Sequence, residues 1–143
     1  MMWRNYRAGC INMPDLSASL NRTIGPRDAL ENGGIGMRFQ LPCDKRNAHG
    51  QTVQGIVIAF DGQIYAYQNA CPHRGTELDW QPGEVFDETG LYLICATHGA
   101  IFQPKTGVCI SGPCRGAHLL PITVAVENGQ IMVRDEVVKS ADC

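Results

Sequence analysis

Four side chains in this sequence are suited to holding a metal: Cys71 and His73 in "NACPHRGTELDW", residues 69–80, and Cys95 and His98 in "ICATHGAIF", residues 94–102. Thiolate and imidazole are both metal ligands, so the two pairs make a set of two sulfurs and two nitrogens. Gly75 and Gly99 follow closely and permit tight loop bends. Zinc accepts such a set tetrahedrally, although its usual finger spacing pairs Cys with Cys and His with His. Here each short motif carries one of each. A binuclear 2Fe-2S cluster accounts better for the mixed pairs: with both cysteines on one iron and both histidines on the other, each loop spans the cluster and fixes its orientation.

The elements around these motifs must bring the two loops side by side. "IGMRFQLP" and "TVQGIVIAF" read as strands rich in β-branched and aromatic residues. Asp61-Gly62 joins "GIVIAF" to "QIYAYQN", and Asn128-Gly129 joins "ITVAVE" to "QIMVRD". Both dipeptides tolerate the positive φ angles of a type I′ turn, so both mark tight hairpins. Further short strands are expected in "LYLICA", "GAIFQ" and "GVCI", with a turn from Pro104 to Gly107. About eight to ten strands at short spacing predict an all-β, antiparallel sandwich or small barrel. Each Cys/His pair then sits on a loop leaving a strand.

The domain is expected over 34–138. Residues 1–33 are polar and uneven and are read as an N-terminal arm, with one short helix in "GPRDALENGG" between Pro26 and Gly33; 139–143 form a C-terminal tail. With 44% hydrophobic and 18% charged residues, the 143-residue chain has the composition of a globular protein. Twelve basic and 14 acidic residues, with no Lys/Arg block, argue against a nucleic-acid surface. No apolar run is long enough for a membrane span and the first residues lack a secretory h-region, so the expected compartment is the cytoplasm. Seven cysteines, an odd number without an export signal, point to metal ligands and free thiols rather than a disulfide framework.

"CPH" at 71–73, 21 intervening residues and "CATHG" at 95–99 resemble the Rieske motif. The resemblance extends over about 34–138 and includes "FQPKTGVCISGPCRG", residues 102–116, in which Gly112-Pro113 is similar to the loop that covers the cluster in Rieske proteins. It implies a β-sandwich-like base carrying a small cluster-binding subdomain and one Rieske-type 2Fe-2S cluster. Cys71 and Cys95 would bind the inner iron, and His73 and His98 the outer iron near solvent. Four thiolates leave an oxidised binuclear cluster doubly negative, whereas two thiolates with two neutral imidazoles leave it uncharged and easier to reduce. High-potential members carry a Ser directly after the second His-Gly and a Tyr two residues later, both donating hydrogen bonds toward the cluster or its ligand sulfur; Ala100 and Phe102 stand at those positions here. The disulfide that joins their ligand loops corresponds to Thr76 and Thr97. These three departures imply the low-potential, ferredoxin-like branch.

Other candidates carry less. Cys109 and Cys114 flank the Gly-Pro loop and are read as reduced thiols outside the ligand set; Cys10, Cys43 and Cys143 stand alone. His49 reads as exposed loop and His118 as packing. Glu77, Asp79, Glu84, Asp87 and Glu88 form either an acidic docking face for a basic redox partner or a simply solvated loop. Trp80 and Phe86 read as residues that pack this loop down.

The resemblance implies a one-electron carrier, not itself an enzyme, with redox proteins as partners: a reductase that loads it and a terminal oxygenase or related enzyme that unloads it. Nucleic acid and membrane are not expected partners. A second reading is an accessory electron-transfer subunit of a larger oxidoreductase, similar to the small subunit of cytoplasmic nitrite reductases. A third, a zinc-stabilised interaction module, predicts a colourless protein without redox activity.

Overall fold

The computed structural model describes residues 21–41, 46, 50–72, 75–79 and 81–134. His49, His73, Trp80, Cys10, Cys43, Cys143 and the expected tail at 139–143 lie outside the described residues. Among the described residues nine strands run in the order β1 (Asn21–Pro26), β2 (Met37–Gln40), β3 (Gln54–Phe60), β4 (Gln63–Gln68), β5 (Leu93–Ile94), β6 (Ile101–Phe102), β7 (Cys109–Ser111), β8 (Val124–Glu127) and β9 (Gln130–Arg134). They form three antiparallel three-stranded sheets, ordered β1-β9-β8, β2-β3-β4 and β5-β6-β7.

Alternation along β3 explains how the sheets stack. Ile56 and Ile58 enter one core with Tyr67, Leu78, Leu93, Phe102 and Leu119, while Val57 and Ala59 enter a second with Leu30, Phe39, Ala66, Ile131 and Val133. Successive strand residues point to opposite faces, so a run that is apolar at every position is buried on both. The middle sheet is that strand pair plus β2. One face packs on the base sheet β1-β9-β8, and the other on the small sheet β5-β6-β7 that bears the second Cys/His motif.

Both hairpins form as expected. Asp61 and Gly62 have φ of 52° and 81°, and Asn128 and Gly129 have 53° and 76°, the double positive φ of a type I′ turn. The turn before β7 closes with the Gly107 amide donating to the Gln103 carbonyl at 2.7 Å.

Residues 21–33, which the sequence leaves in the arm, belong to the packed structure where they are described. β1 pairs with β9, Arg27 donates its amide to the Gly129 carbonyl at 2.9 Å, and Leu30 is buried in the base core. The expected short helix is a single 3₁₀ turn, Arg27–Ala29, with no side-chain cap at Pro26. Without a cap or a buried apolar face, nothing extends that turn into a longer helix.

Candidate metal centre

The two loops are built alike. Cys71 follows β4, donates its amide to the Thr76 carbonyl at 2.8 Å, and accepts the Gly75 amide on its own carbonyl. Cys95 follows β5, donates to the Ala100 carbonyl at 2.9 Å, and accepts the Gly99 amide at 2.8 Å. In each case the glycine four positions after the cysteine takes a positive φ, 77° at Gly75 and 74° at Gly99. Glycine adopts that conformation without Cβ strain, and this is how both motifs turn within a few residues.

A backbone hydrogen bond stitches the loops together: the Ala96 amide donates to the Leu78 carbonyl at 2.9 Å. Leu78 is in turn fixed by its own amide, which donates to Asn69 Oδ1 at 2.8 Å, and Asn69 Nδ2 donates to Asp79 Oδ1 at 3.0 Å. Asp79 also accepts the Gly83 amide at 2.8 Å and a bidentate pair of bonds from Arg38 of β2, at 2.7 and 2.8 Å. Burial pushes the Asp79 carboxyl up, but the hydrogen bonds from Arg38, Asn69 and Gly83 outweigh it and hold the group below its usual range. Asp79 and Glu77, which bonds Arg38 at 3.2 Å, are therefore structural rather than part of a free acidic face. Glu84 and Glu88 stay exposed, and Asp87 takes the Thr89 hydroxyl at 2.6 Å.

At the centre, Cys71 and Cys95 are 2% and 1% exposed, while His98 lies at the surface. The Cys71 thiol hydrogen-bonds the Cys95 sulfur, and despite burial this bond, the amides of Thr97 and His98 and the Thr97 hydroxyl pull the Cys95 thiol well below its ordinary range. The site favours thiolate. Burying thiolate charge without a counterion is costly, so such a pair fits a cation bridging the sulfurs. In the first loop, Thr76 Oγ1 is buried with no hydrogen-bond partner among the described residues, an orphan costing about 1–3 kcal/mol unless a bound group satisfies it. Buried sulfurs beside an exposed imidazole fit a cluster with one iron inside and one near solvent. Among the described residues no three or more Cys, His, Asp or Glu side chains form a site for a metal ion.

The Gly-Pro loop closes over this centre. Arg115 and Ala117 donate their amides to the carbonyls of Gly112 and Cys114, and Gly116 donates to Cys109, so 112–117 fold into a compact turn. Gly112 lies so close to the second ligand loop that an added Cβ would stand 2.8 Å from Ala100 Cα. Cys109 and Cys114 are free, buried thiols whose sulfurs are 3.1 Å apart, and Cys114 also hydrogen-bonds Cys71. Burial, chiefly, pushes the Cys114 thiol up.

Three placements were not legible in the motif. The Thr97 hydroxyl reaches the Cys95 sulfur, Cys114 reaches Cys71, and His118 lines an open cleft of about 360 Å³ with Arg46, Cys71, Pro72 and Gly75 instead of packing in the core. His118 Nδ1 lies 3.1 Å from the Leu119 carbonyl. Phe86 packs, as expected: its ring stacks on Phe60 with centroids 6.1 Å apart.

No curated protein matches the chain. Among solved structures, a chain in the complex of reduced oxygenase and oxidized ferredoxin in carbazole 1,9a-dioxygenase is similar at 22% identity with a TM-score of 0.62, covering 81% of this chain and 94% of that one. The ferredoxin of carbazole 1,9a-dioxygenase from Nocardioides aromaticivorans IC177 is similar at 23% identity and a TM-score of 0.61, covering 80% of this chain and 97% of that one. A larger chain, in a carbazole-bound oxygenase and ferredoxin complex of carbazole 1,9a-dioxygenase, matches at 18% identity and a TM-score of 0.61, with 80% of this chain on 28% of its length. The fold they share with this chain is the one that the β-sandwich base and cluster-binding subdomain predicted. Residues 39–133 match the family model described as the Rieske [2Fe-2S] domain, which takes in 95 of the 143 residues. The chain therefore belongs to the Rieske 2Fe-2S family, and its cofactor is one Rieske-type cluster.

Proposed function

We propose that this protein is a soluble cytoplasmic one-electron carrier, receiving electrons from a reductase and passing them to a terminal oxygenase or related enzyme. One observation carries the reading: the thiols of Cys71 and Cys95 are buried while His98 of the same loop pair faces solvent. Cys71 and Cys95 would hold the inner iron, His98 and, by its motif, His73 the outer iron. When bound, the cluster supplies a reversible one-electron couple.

The chain's own residues do the rest. Burial of both cysteines excludes water from the sulfurs, and the amides of Thr97 and His98 stabilise charge on Cys95. The loop bond from Ala96 to Leu78 and the Arg38–Asp79 clamp hold the jaws at fixed separation through a change of charge. His98 at the surface brings the edge of the site to the face where a redox partner docks. Similarity in fold to the ferredoxin of a carbazole dioxygenase supports an oxygenase as the class of acceptor. No helix among the described residues is long and apolar enough to cross a membrane.

Anaerobic reductive titration followed by rapid mixing with an oxidised Rieske oxygenase tests the proposal. A carrier takes up one electron per chain and delivers it, leaving both proteins separable on a sizing column. A chain that isolates only within a larger oxidoreductase complex is instead an accessory subunit.

A further inference from the structure

Two thiols at the covering loop are not among the proposed ligands. Cys109 and Cys114 are both free and buried, 1% and 8% exposed, and their sulfurs are 3.1 Å apart, with the Cys114 thiol donating to Cys109 Sγ. The backbone fixes this approach. Cys109 is paired with Phe102 of β6, its amide donates to the Ala117 carbonyl at 2.8 Å, and its carbonyl accepts the Gly116 amide at 3.0 Å. The chain thus doubles back on Cys109, and the Ala117 amide closes the turn on the Cys114 carbonyl at 2.9 Å. A disulfide needs its sulfurs about 2.05 Å apart, so closure asks for a movement of about 1 Å. The two thiols differ in access: Pro113, Arg115 and Gly116 beside Cys114 are exposed, whereas Cys109 is almost fully enclosed.

We propose that Cys109 and Cys114 form a dithiol switch that hydrogen peroxide closes to a disulfide, clasping the covering loop to β7 over the metal centre. Peroxide is small enough for the narrow opening at Cys114. One of its oxygens passes to Cys114 Sγ, giving a sulfenic acid and a first water. Cys109 Sγ then attacks that sulfur: the S–S bond forms, and the hydroxyl leaves with the Cys109 proton as a second water. The two sulfurs together lose two electrons and the peroxide gains them. A small thiol of the glutathione class reopens the bond by exchange, so in a reducing compartment the disulfide is transient. While it lasts, the turn at 112–117 stays tied to β7 even when the Gly116 and Ala117 hydrogen bonds open. The effect of the clasp on the centre rests on the proposed ligation by Cys71 and Cys95; the disulfide itself does not.

Peptide mapping of the full iron-loaded chain tests the closure. Trypsin cuts after Lys105 and Arg115, so residues 106–115 leave as one peptide that holds Cys109 and Cys114 and no other cysteine. After brief treatment with equimolar peroxide, with free thiols blocked by a maleimide on denaturation, that peptide is expected to be unblocked and lighter by two hydrogens. In the untreated chain it carries two maleimides. Cys109→Ser is expected to accumulate the sulfenic acid at Cys114, where dimedone traps it. Two blocked thiols after peroxide overturn the proposal, as does a disulfide from this peptide to one containing Cys71 or Cys95. Iron release to a chelator tests the clasp: the peroxide-treated parent is expected to lose iron several-fold more slowly than the same sample re-reduced with a phosphine, and Cys109→Ser to show no such difference. Equal rates before and after re-reduction overturn the clasp. A parent chain that binds no iron overturns the ligand reading and the clasp with it, while the peptide map still decides the disulfide.

Discussion

Cys95 and Ala100 share one short loop and are joined by a hydrogen bond from the Cys95 amide to the Ala100 carbonyl. Ala100 is wholly buried, so a hydroxyl placed there is shielded from water and has the second ligand loop within reach. Ala100→Ser is expected to raise the reduction potential, by about 59 mV if the new bond changes the redox equilibrium tenfold. Redox titration checks it, and a potential that stays or falls removes the missing hydroxyl as a cause of low potential. The residues of this scale were the most legible ones. The proposed ligands Cys71, His73, Cys95 and His98 are picked out by type and spacing, and the positive-φ turns at Gly75 and Gly99 by their place after each cysteine. Cys114 and Thr97 were not, because which side chain reaches a cysteine sulfur depends on how a loop folds over it, and Cys71 and Cys114 stand 43 positions apart with β5, β6 and β7 between them.

Elements position these residues through contacts far apart in sequence. Arg38 and Asp79 are 41 positions apart, yet their bidentate bond fixes the first ligand loop to β2. Arg38→Ala leaves the Asp79 carboxylate buried beside Asn69 without its cation, and is expected to destabilise the protein by about 3 kcal/mol. The pH dependence follows from the depressed Asp79 pKa. A carboxyl held low in the folded state adds stability at pH above the unfolded value of about 3.9, and that stability is lost as pH falls through the folded value. Wild-type stability is thus expected to decline as pH falls below about 4, whereas in Arg38→Ala burial outweighs the remaining hydrogen bonds and raises the folded value, so protonating Asp79 no longer costs stability and the acid decline is smaller or reversed. Denaturant midpoints measured from pH 3 to 7 check both, and identical profiles would contradict the clamp. Gly112→Ala tests the covering loop: its φ of 106° and the 2.8 Å approach to Ala100 Cα leave no room for a Cβ. The loop is expected to lift, exposing the sulfurs, and cluster loss under chelator should accelerate several-fold; an unchanged rate would show that the loop does not seal the site. The hairpins at Asp61-Gly62 and Asn128-Gly129 were readable because positive φ restricts residue choice. β1 was not, since "NRTIGP" has no alternating apolar pattern and gains its structure by pairing with β9, more than a hundred residues later.

At the scale of the whole molecule, the middle sheet divides two cores with different tasks. The base core holds β1-β9-β8 against one face, and the second core contains Cys71, Cys95, Cys109 and Cys114 among its apolar residues. With the sulfurs inside a packed core, ligation by Cys71 and Cys95 as proposed would tie metal binding to folding, because the two free energies are coupled when ligands come from separate loops. The apolar run of "GIVIAF" made a doubly buried strand legible; the stacking of three sheets was not, as it is set by long-range pairing. The most direct test of the central claim is EPR of the anaerobically purified, dithionite-reduced protein, together with iron, sulfide and zinc analysis. A mixed-ligand cluster predicts a Rieske-type signal of low average g with about two irons and two sulfides per chain. An EPR-silent protein containing zinc and no sulfide would contradict it.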